Sequence, residues 1–186
     1  IIIDNGEAVV VDPADNAEYI LEFIRQKGAV LKYVLLTHGH FDHVSAASEL
    51  QKNGAKIIMS EIDYELIESG ELNAMFNVSI DRFNLDITVK HEEVLELIGH
   101  NFKVLYTPGH TQGSVCYIMD DDIIFSGDTL FHLSIGRTNF TFGNKAQLFD
   151  TVKMLYNLPH DYKVLSGHGP STTLDFERKN NPYVRL

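Results

Sequence analysis

Thr37-His38-Gly39-His40-Phe41-Asp42-His43 follows directly on an apolar run at 33–36 and places four potential metal ligands within six positions. Four polar side chains at the exit of a buried strand are costly to bury unless a cation shares them. A tetrahedral ion takes three or four donors from several directions, so one loop offering four of them points to two ions. In extended backbone, His38 and His40 project to one side, whereas Asp42 and His43 turn elsewhere and suit a second ion.

The same pattern recurs further along. The apolar segment 102–106 leads through Thr107-Pro108-Gly109 to His110, 123–125 leads to Asp128, and 164–165 leads through Ser166-Gly167 to His168. Five of the nine histidines therefore sit at strand exits, and exits at one sheet edge converge in space. Asp128 is the anionic residue at a distant exit; with one oxygen to each ion it would hold a pair ~3.5–4 Å apart. Imidazole and carboxylate donors without thiolate suit zinc, manganese or iron, whereas calcium and magnesium prefer all-oxygen shells. His91, His100, His132 and His160 share no such context. Gly39 and Gly109 read as positions of tight turn or close backbone approach. Arg137, on the loop after Asp128, is a candidate for an anionic substrate group, with an internal ion pair as the alternative; Cys116, inside an apolar run, reads as core.

Around these exits the chain alternates short apolar runs with helical patterns. Strands are expected at 8–11, stopped by Asp12-Pro13, at 33–36 and at 56–59, and a series of antiparallel neighbours at 87–90, 94–98, 102–106, 114–119 and 122–125, with a last strand at 163–165. Helices are expected after an Asp15/Glu18 capping box, over 44–52, after Asn144 and Gln147, and over 172–180; 60–84 reads as helices and loops beside the site, and 130–143 as a loop. The 186 residues, 44% hydrophobic and 22% charged, suit a single domain over 1–186 and exclude disorder, collagen and coiled coil. No apolar run approaches the ~20 residues of a membrane span. The net charge of −11 argues against nucleic acid as a partner, and the closest basic cluster, Arg178-Lys179, reads as a solvated helix face. One cysteine and no charged-then-apolar leader in the sequence suggest a reducing, cytoplasmic location.

Taken together, Thr37 to His43, Thr107-Pro108-Gly109-His110-Thr111, Ser126-Gly127-Asp128-Thr129-Leu130-Phe131 and Ser166-Gly167-His168-Gly169-Pro170 resemble the metallo-β-lactamase superfamily, and within it the short glyoxalase II-like hydrolases. The resemblance implies an α/β fold of αββα type, two mixed sheets face to face with helices outside. It also implies two divalent ions, zinc in first place with iron or manganese as alternatives. His38, His40 and His110 would hold one ion, Asp42, His43 and His168 the other, and Asp128 would bridge them. Hydrolysis of a small acyl thioester such as S-lactoylglutathione by a metal-bridging hydroxide is the implied activity, with Asp42 and Asp128 in catalytic roles and a small anionic molecule as partner. Only 18 residues follow His168, so the separate C-terminal glutathione-binding region of longer members is not expected. Where related short members read Gly-Arg-Thr-Asp, this chain reads Gly136-Arg137-Thr138-Asn139, which removes a carboxylate. Three other functions fit the same motifs: a mononuclear iron enzyme of the persulfide dioxygenase kind, a lactone, β-lactam or phosphodiester hydrolase, and a non-catalytic metal-binding module.

Overall fold

The computed structural model describes residues 1–185, the side chain of Met75 excepted. β1 (Ile2–Asp4) and β2 (Glu7–Val11) form a hairpin whose turn, Asn5-Gly6, has positive φ at both residues, as a two-residue turn requires. Helix α1 (Ala17–Gln26) returns the chain to β3 (Val30–Leu35), parallel to β2. Helices α2 (Phe41–Val44) and α3 (Ala47–Lys52) lead to β4 (Lys56–Met59), and α4 (Glu61–Glu68) with a 3-10 turn at Ala74–Phe76 leads to β5 (Ile87–Thr88), again in parallel. The chain then enters a second sheet through β6 (Val94–Leu97), β7 (His100–Tyr106), β8 (Val115–Met119) and β9 (Ile123–Gly127), each antiparallel to the one before. A small hairpin, β10 (Leu130–Phe131) with β11 (Ser134–Ile135), precedes α5 (Lys145–Tyr156). Strand β12 (Lys163–Ser166) lies parallel to β9, β13 (Thr172–Thr173) forms the edge, and α6 (Leu174–Asn180) closes the described chain. The sheet orders are β1-β2-β3-β4-β5 and β13-β12-β9-β8-β7-β6.

Side-chain alternation makes the layers. Val9, Leu35 and Ile58 of the first sheet meet Phe102, Val104, Val115 and Tyr117 of the second in one buried cluster between the sheets. Their chain neighbours Val10, Val34, Leu36 and Ile57 face the other way, against Ile24 of α1 and Ala47 and Leu50 of α3. On the far side, Leu105, Cys116, Ile118 and Val164 pack against Leu148, Val152 and Leu155 of α5 and Leu174 of α6. Successive residues of a strand point to opposite faces, so strands covered on both faces need apolar residues at every position. The result is a four-layer αββα sandwich with two mixed sheets, and Cys116 belongs to its core as expected. Among the described residues no helix is long and apolar enough to cross a membrane.

Several elements differ from the sequence expectation. Asn16, not Asp15, caps α1, accepting from the Tyr19 amide, while Asp15 accepts from Asn16. The single helix expected over 44–52 is two: the Ala46 amide donates to Pro13 O at 3.0 Å instead of into the helix, which breaks it. The segment at 87–90 does not join the antiparallel series; Ile87 and Thr88 pair with Ile58 and Met59 and complete the first sheet. The loop expected over 130–143 holds the β10-β11 hairpin. Arg178 is turned inward, its side chain 18% exposed, and donates to Tyr156 O and Leu158 O at the end of α5, so of the Arg178-Lys179 pair only Lys179 is on a solvated face. Phe102→Ala, at a fully buried position between the sheets, is expected to cost about 3–5 kcal/mol of a total of about 5–15. Urea denaturation measures this, and a loss below about 1 kcal/mol would contradict the placement of Phe102 in that layer.

Candidate metal centre

All seven residues expected as ligands converge at one edge of the sandwich. His38 and His40 follow β3, His110 lies between β7 and β8, Asp128 follows β9, and His168 follows β12. The Val115 amide donates to Thr37 O at 2.8 Å and ties the two sheets together at this edge. His40 has extended backbone and α2 begins at the next residue, so Asp42 leaves on a helical first turn, but His43 does not turn away from His38 as expected: their ring centres are 4.1 Å apart. The rings of His38, His40 and His110 lie 4.7–4.9 Å apart, centre to centre. His43 Nε2 is 3.4 Å from His168 Nε2, and His168 Nε2 is 3.3 Å from Asp42 Oδ2. Asp128 stands between the two sets, with Oδ2 3.5 Å from His110 Nε2 and Oδ1 3.3 Å from His43 Nε2.

Three of the five rings are oriented through their outer nitrogen, while His40 Nδ1 lies 2.9 Å from His110 Nε2. His43 Nδ1 donates to Asp12 Oδ2 at 3.0 Å, and His110 Nδ1 donates to Arg137 O at 2.7 Å. Thr37 Oγ1 donates to Asp12 Oδ2 at 2.6 Å, which leaves it to accept from His38 Nδ1 at 3.1 Å. The inner nitrogens of these rings therefore carry lone pairs toward the centre, the condition for cation binding. Burial, with neighbouring imidazoles adding to it, takes His38 well below the usual histidine range, His40 down to about 3, and His110 lower as well. For His43, burial acts the same way but is outweighed by Asp12 and then Asp128, which lift it to about 10. That lift reports a negative potential at His43 Nε2, which also favours a cation there.

The arrangement fits divalent metal. Three groups of ligand atoms, His38/His40/His110, Asp42/His43/His168 and Asp12/His38/His43, each lie within 4.8 Å of one another. His38 Nε2, His40 Nε2 and Asp128 Oδ1 are buried without a hydrogen-bond partner, an arrangement that is costly unless something else satisfies these atoms. Asp12 is the exception among the grouped carboxylates, because its oxygens are taken by Thr37 and His43.

Residues 1–168 match the family described as the metallo-beta-lactamase superfamily. A hydroxyacylglutathione hydrolase of Haemophilus influenzae, GloC, is 38% identical over 97% of this chain and 89% of its own length. The chain belongs to this superfamily. Among solved structures, the BLEG-1 B3 metallo-beta-lactamase superposes with a TM-score of 0.91 at 31% identity, covering 99% of this chain and 91% of that one. TTHA1623 in a di-iron-bound form superposes at 0.83 with 34% identity, covering 94% and 88%.

Within this metallo-beta-lactamase fold, two supporting carboxylates were not singled out from the sequence. Asp12 reads there only as a strand stop before Pro13, yet it is a strand exit like the others. Its backbone sits at φ +48°, strained for a non-glycine residue, and is held by the three hydrogen bonds its carboxylate accepts. Asp63 of α4, fully buried, accepts from the Gly39 amide, the Gly113 amide and Thr111 Oγ1 at 2.7–2.9 Å. It thereby joins the loop of His38 and His40 to the loop of His110. Burial pushes its carboxyl up, against those three bonds. Gly39 and Gly109 answer close packing: a Cβ would lie 2.6 Å from Leu72 Cδ2 at Gly39 and 2.4 Å from the Leu148 amide nitrogen at Gly109, where φ is +136°.

A cavity of about 310 Å³ opens onto the cluster between His40, Asp42, His110, Asp128 and His168. Phe41, Phe76, Phe131, Phe140 and Arg137 complete its wall. A larger depression of about 810 Å³ on the outside of α1 and α3 shares no residue with it and holds no histidine. Arg137 is exposed, its guanidinium carbon 4.7 Å from the centre of the Phe140 ring, and among the described residues it makes no ion pair. Asp12→Asn is expected to retain the fold and to weaken metal binding roughly 10–100-fold by loosening His43. Competition against a chromogenic chelator measures it; wild-type affinity in the variant would remove Asp12 from this role.

Proposed function

We propose that the protein hydrolyses small acyl thioesters of the S-lactoylglutathione kind at two divalent ions, zinc in first place with iron or manganese as alternatives. His38, His40 and His110 would hold one ion and Asp42, His43 and His168 the other, with Asp128 shared between them. The observation that carries this reading is the position of Asp128, whose carboxylate lies between the two sets of imidazoles, Oδ1 3.3 Å from His43 Nε2 and Oδ2 3.5 Å from His110 Nε2 and 3.7 Å from His168 Nε2. The hydroxyacylglutathione hydrolase relative supports the substrate class, and the di-iron form of TTHA1623 supports two ions and keeps iron among the candidates.

Bound ions supply the acidity that makes water a nucleophile near neutral pH and the positive charge that polarises a carbonyl. The chain's own residues do the rest. Asp42, at the cavity wall, takes up the proton of the attacking water and orients it. The water oxygen forms the new C–O bond as the C–S bond breaks. One water proton ends on the departing thiolate and the other is released with the carboxylate product. A thiolate leaves readily, so no strong general acid is needed, which agrees with a cavity wall of phenylalanines and proposed ligands. Arg137 holds an anionic group of the substrate at the rim.

The deciding measurement is loss of S-lactoylglutathione with metal-loaded and chelated protein side by side. Cleavage only in the loaded sample is expected. One bound iron with oxygen consumption and no cleavage would move the assignment to a dioxygenase. His40→Ala and Asp128→Ala should each lower metal content and turnover together, read by metal analysis and the same assay; full metal and full turnover in either would contradict the ligand set. Arg137→Ala should raise KM for anionic thioesters by roughly tenfold and leave a neutral thioester nearly unchanged, from the strength of a charge-assisted hydrogen bond. Equal effects on both substrates would make Arg137 a structural residue.

A further inference from the structure

Resting on the thioesterase reading above, we infer that this cavity cleaves lactoyl thioesters but turns over those with an apolar acyl group faster, and holds the anionic thiol carrier outside, at Arg137. Phe76, from the 3-10 turn, and Phe140, from the loop after β11, meet with ring centres 5.4 Å apart. Both rings are steeply inclined to the His40 ring, with centres 5.6 and 5.5 Å from it, so an acyl group brought to the ions lies next to them. Phe41 and Phe131 extend the same wall.

Among the described residues that wall offers no serine, threonine, asparagine, glutamine or tyrosine. Asp42 and Asp128 are engaged with the ions and the attacking water. The hydroxyl of a lactoyl group held against the phenylalanines therefore gives up its water on entry and meets no neutral hydroxyl or amide side chain to replace it, a loss that an unsubstituted acyl chain does not suffer. The carrier is placed by size and charge. A volume of about 310 Å³ lies at the small end of ligand cavities, enough for an acyl group and its thioester. Arg137 sits at the exposed rim, stacked on Phe140, and its Nε donates only to the neutral Asn139 Oδ1 at 3.3 Å, so its charge is open to a carboxylate of the thiol. Asparagine at 139 is what leaves it open, since a carboxylate there would pair with it.

The test is a series of glutathione thioesters that share one carrier: lactoyl, acetyl, propionyl and butyryl, each rate normalised to its hydroxide-catalysed hydrolysis. Propionyl and lactoyl differ only by the hydroxyl. With metal-loaded protein, kcat/KM for propionyl should exceed that for lactoyl at least tenfold. From acetyl to butyryl it should rise about fourfold per methylene. In Phe76→Ala and Phe140→Ala the rise per methylene should flatten, through KM, while metal analysis shows wild-type content. Lactoyl at or above propionyl, or an undiminished rise in both variants, overturns this inference alone. No turnover of any of the four by protein shown to hold metal overturns the hydrolase reading and this inference with it.

Discussion

Five imidazoles crowded at one sheet edge impose the constraint to which the rest of the fold responds. The centres of neighbouring rings are as close as 4.1 Å, and four of the five rings are 3% exposed or less. A neutral imidazole has one donor and one acceptor nitrogen, and in a buried place each needs a partner. Here the outward nitrogens of His38, His43 and His110 are fixed on Thr37, Asp12 and the Arg137 carbonyl. That choice settles three tautomers at once and turns the remaining nitrogens inward. The inward nitrogens then meet one another, His40 Nδ1 at 2.9 Å from His110 Nε2 and His43 Nε2 at 3.4 Å from His168 Nε2.

Strand direction explains why the acceptors and the rings arrive at the same place. In the first sheet β2 and β3 are parallel, and both end at this edge with Asp12 and Thr37. In the second, β7 and β9 are each antiparallel to β8, and β12 is parallel to β9, so β7, β9 and β12 run the same way. Their carboxyl ends carry the chain to His110, Asp128 and His168. Ligands of open α/β sheets bind beyond the carboxyl ends of the strands for this geometric reason. Tyr117 adds a tie between the layers, donating its buried hydroxyl to Leu36 O at 3.0 Å, one residue before Thr37. The rigidity of the edge thus comes from both sheets.

What was legible in the sequence follows from how local each signal is. Strands buried on both faces show as unbroken apolar runs, and the exits of 33–36, 102–106, 123–125 and 164–165 announced the site because the ligands follow within a few residues. The arrangement of two sheets with covering helices came from the family resemblance that these exit motifs carry, not from the runs themselves. Pairing was not: Ile87 looks like its neighbours in the antiparallel series, and only its contact with Ile58 assigns it to the first sheet. Asp12 was hidden by Pro13, which explained the strand stop without any need for a role. Asp63 and Phe76 lie in 60–84, where the pattern is shaped by the loops they pack against and carries no period of its own. Arg178 looked solvated because charge patterning cannot show a guanidinium folded back on the carbonyls of another helix.

On the proposed assignment the two ion positions are unequal, and the inequality bears on the chemistry. The nitrogens of His38, His40 and His110 come from residues at most 3% exposed, packed beside Phe76 and Phe140. Asp42 and His168 of the other position have side chains 39% and 54% exposed. An apolar shell raises the strength of charge interactions and limits water, whereas an open position lets solvent compete with its ligands. The carbonyl to be polarised belongs on the dry side, where a fixed positive charge acts most strongly on a developing oxyanion. The water to be consumed belongs on the wet side, where Asp42 can meet it. Asp128, 12% exposed, lies at the boundary between the two. On that assignment a single carboxylate placed there would do more than share two ions: it would set the distance between the place where charge develops and the place where water enters.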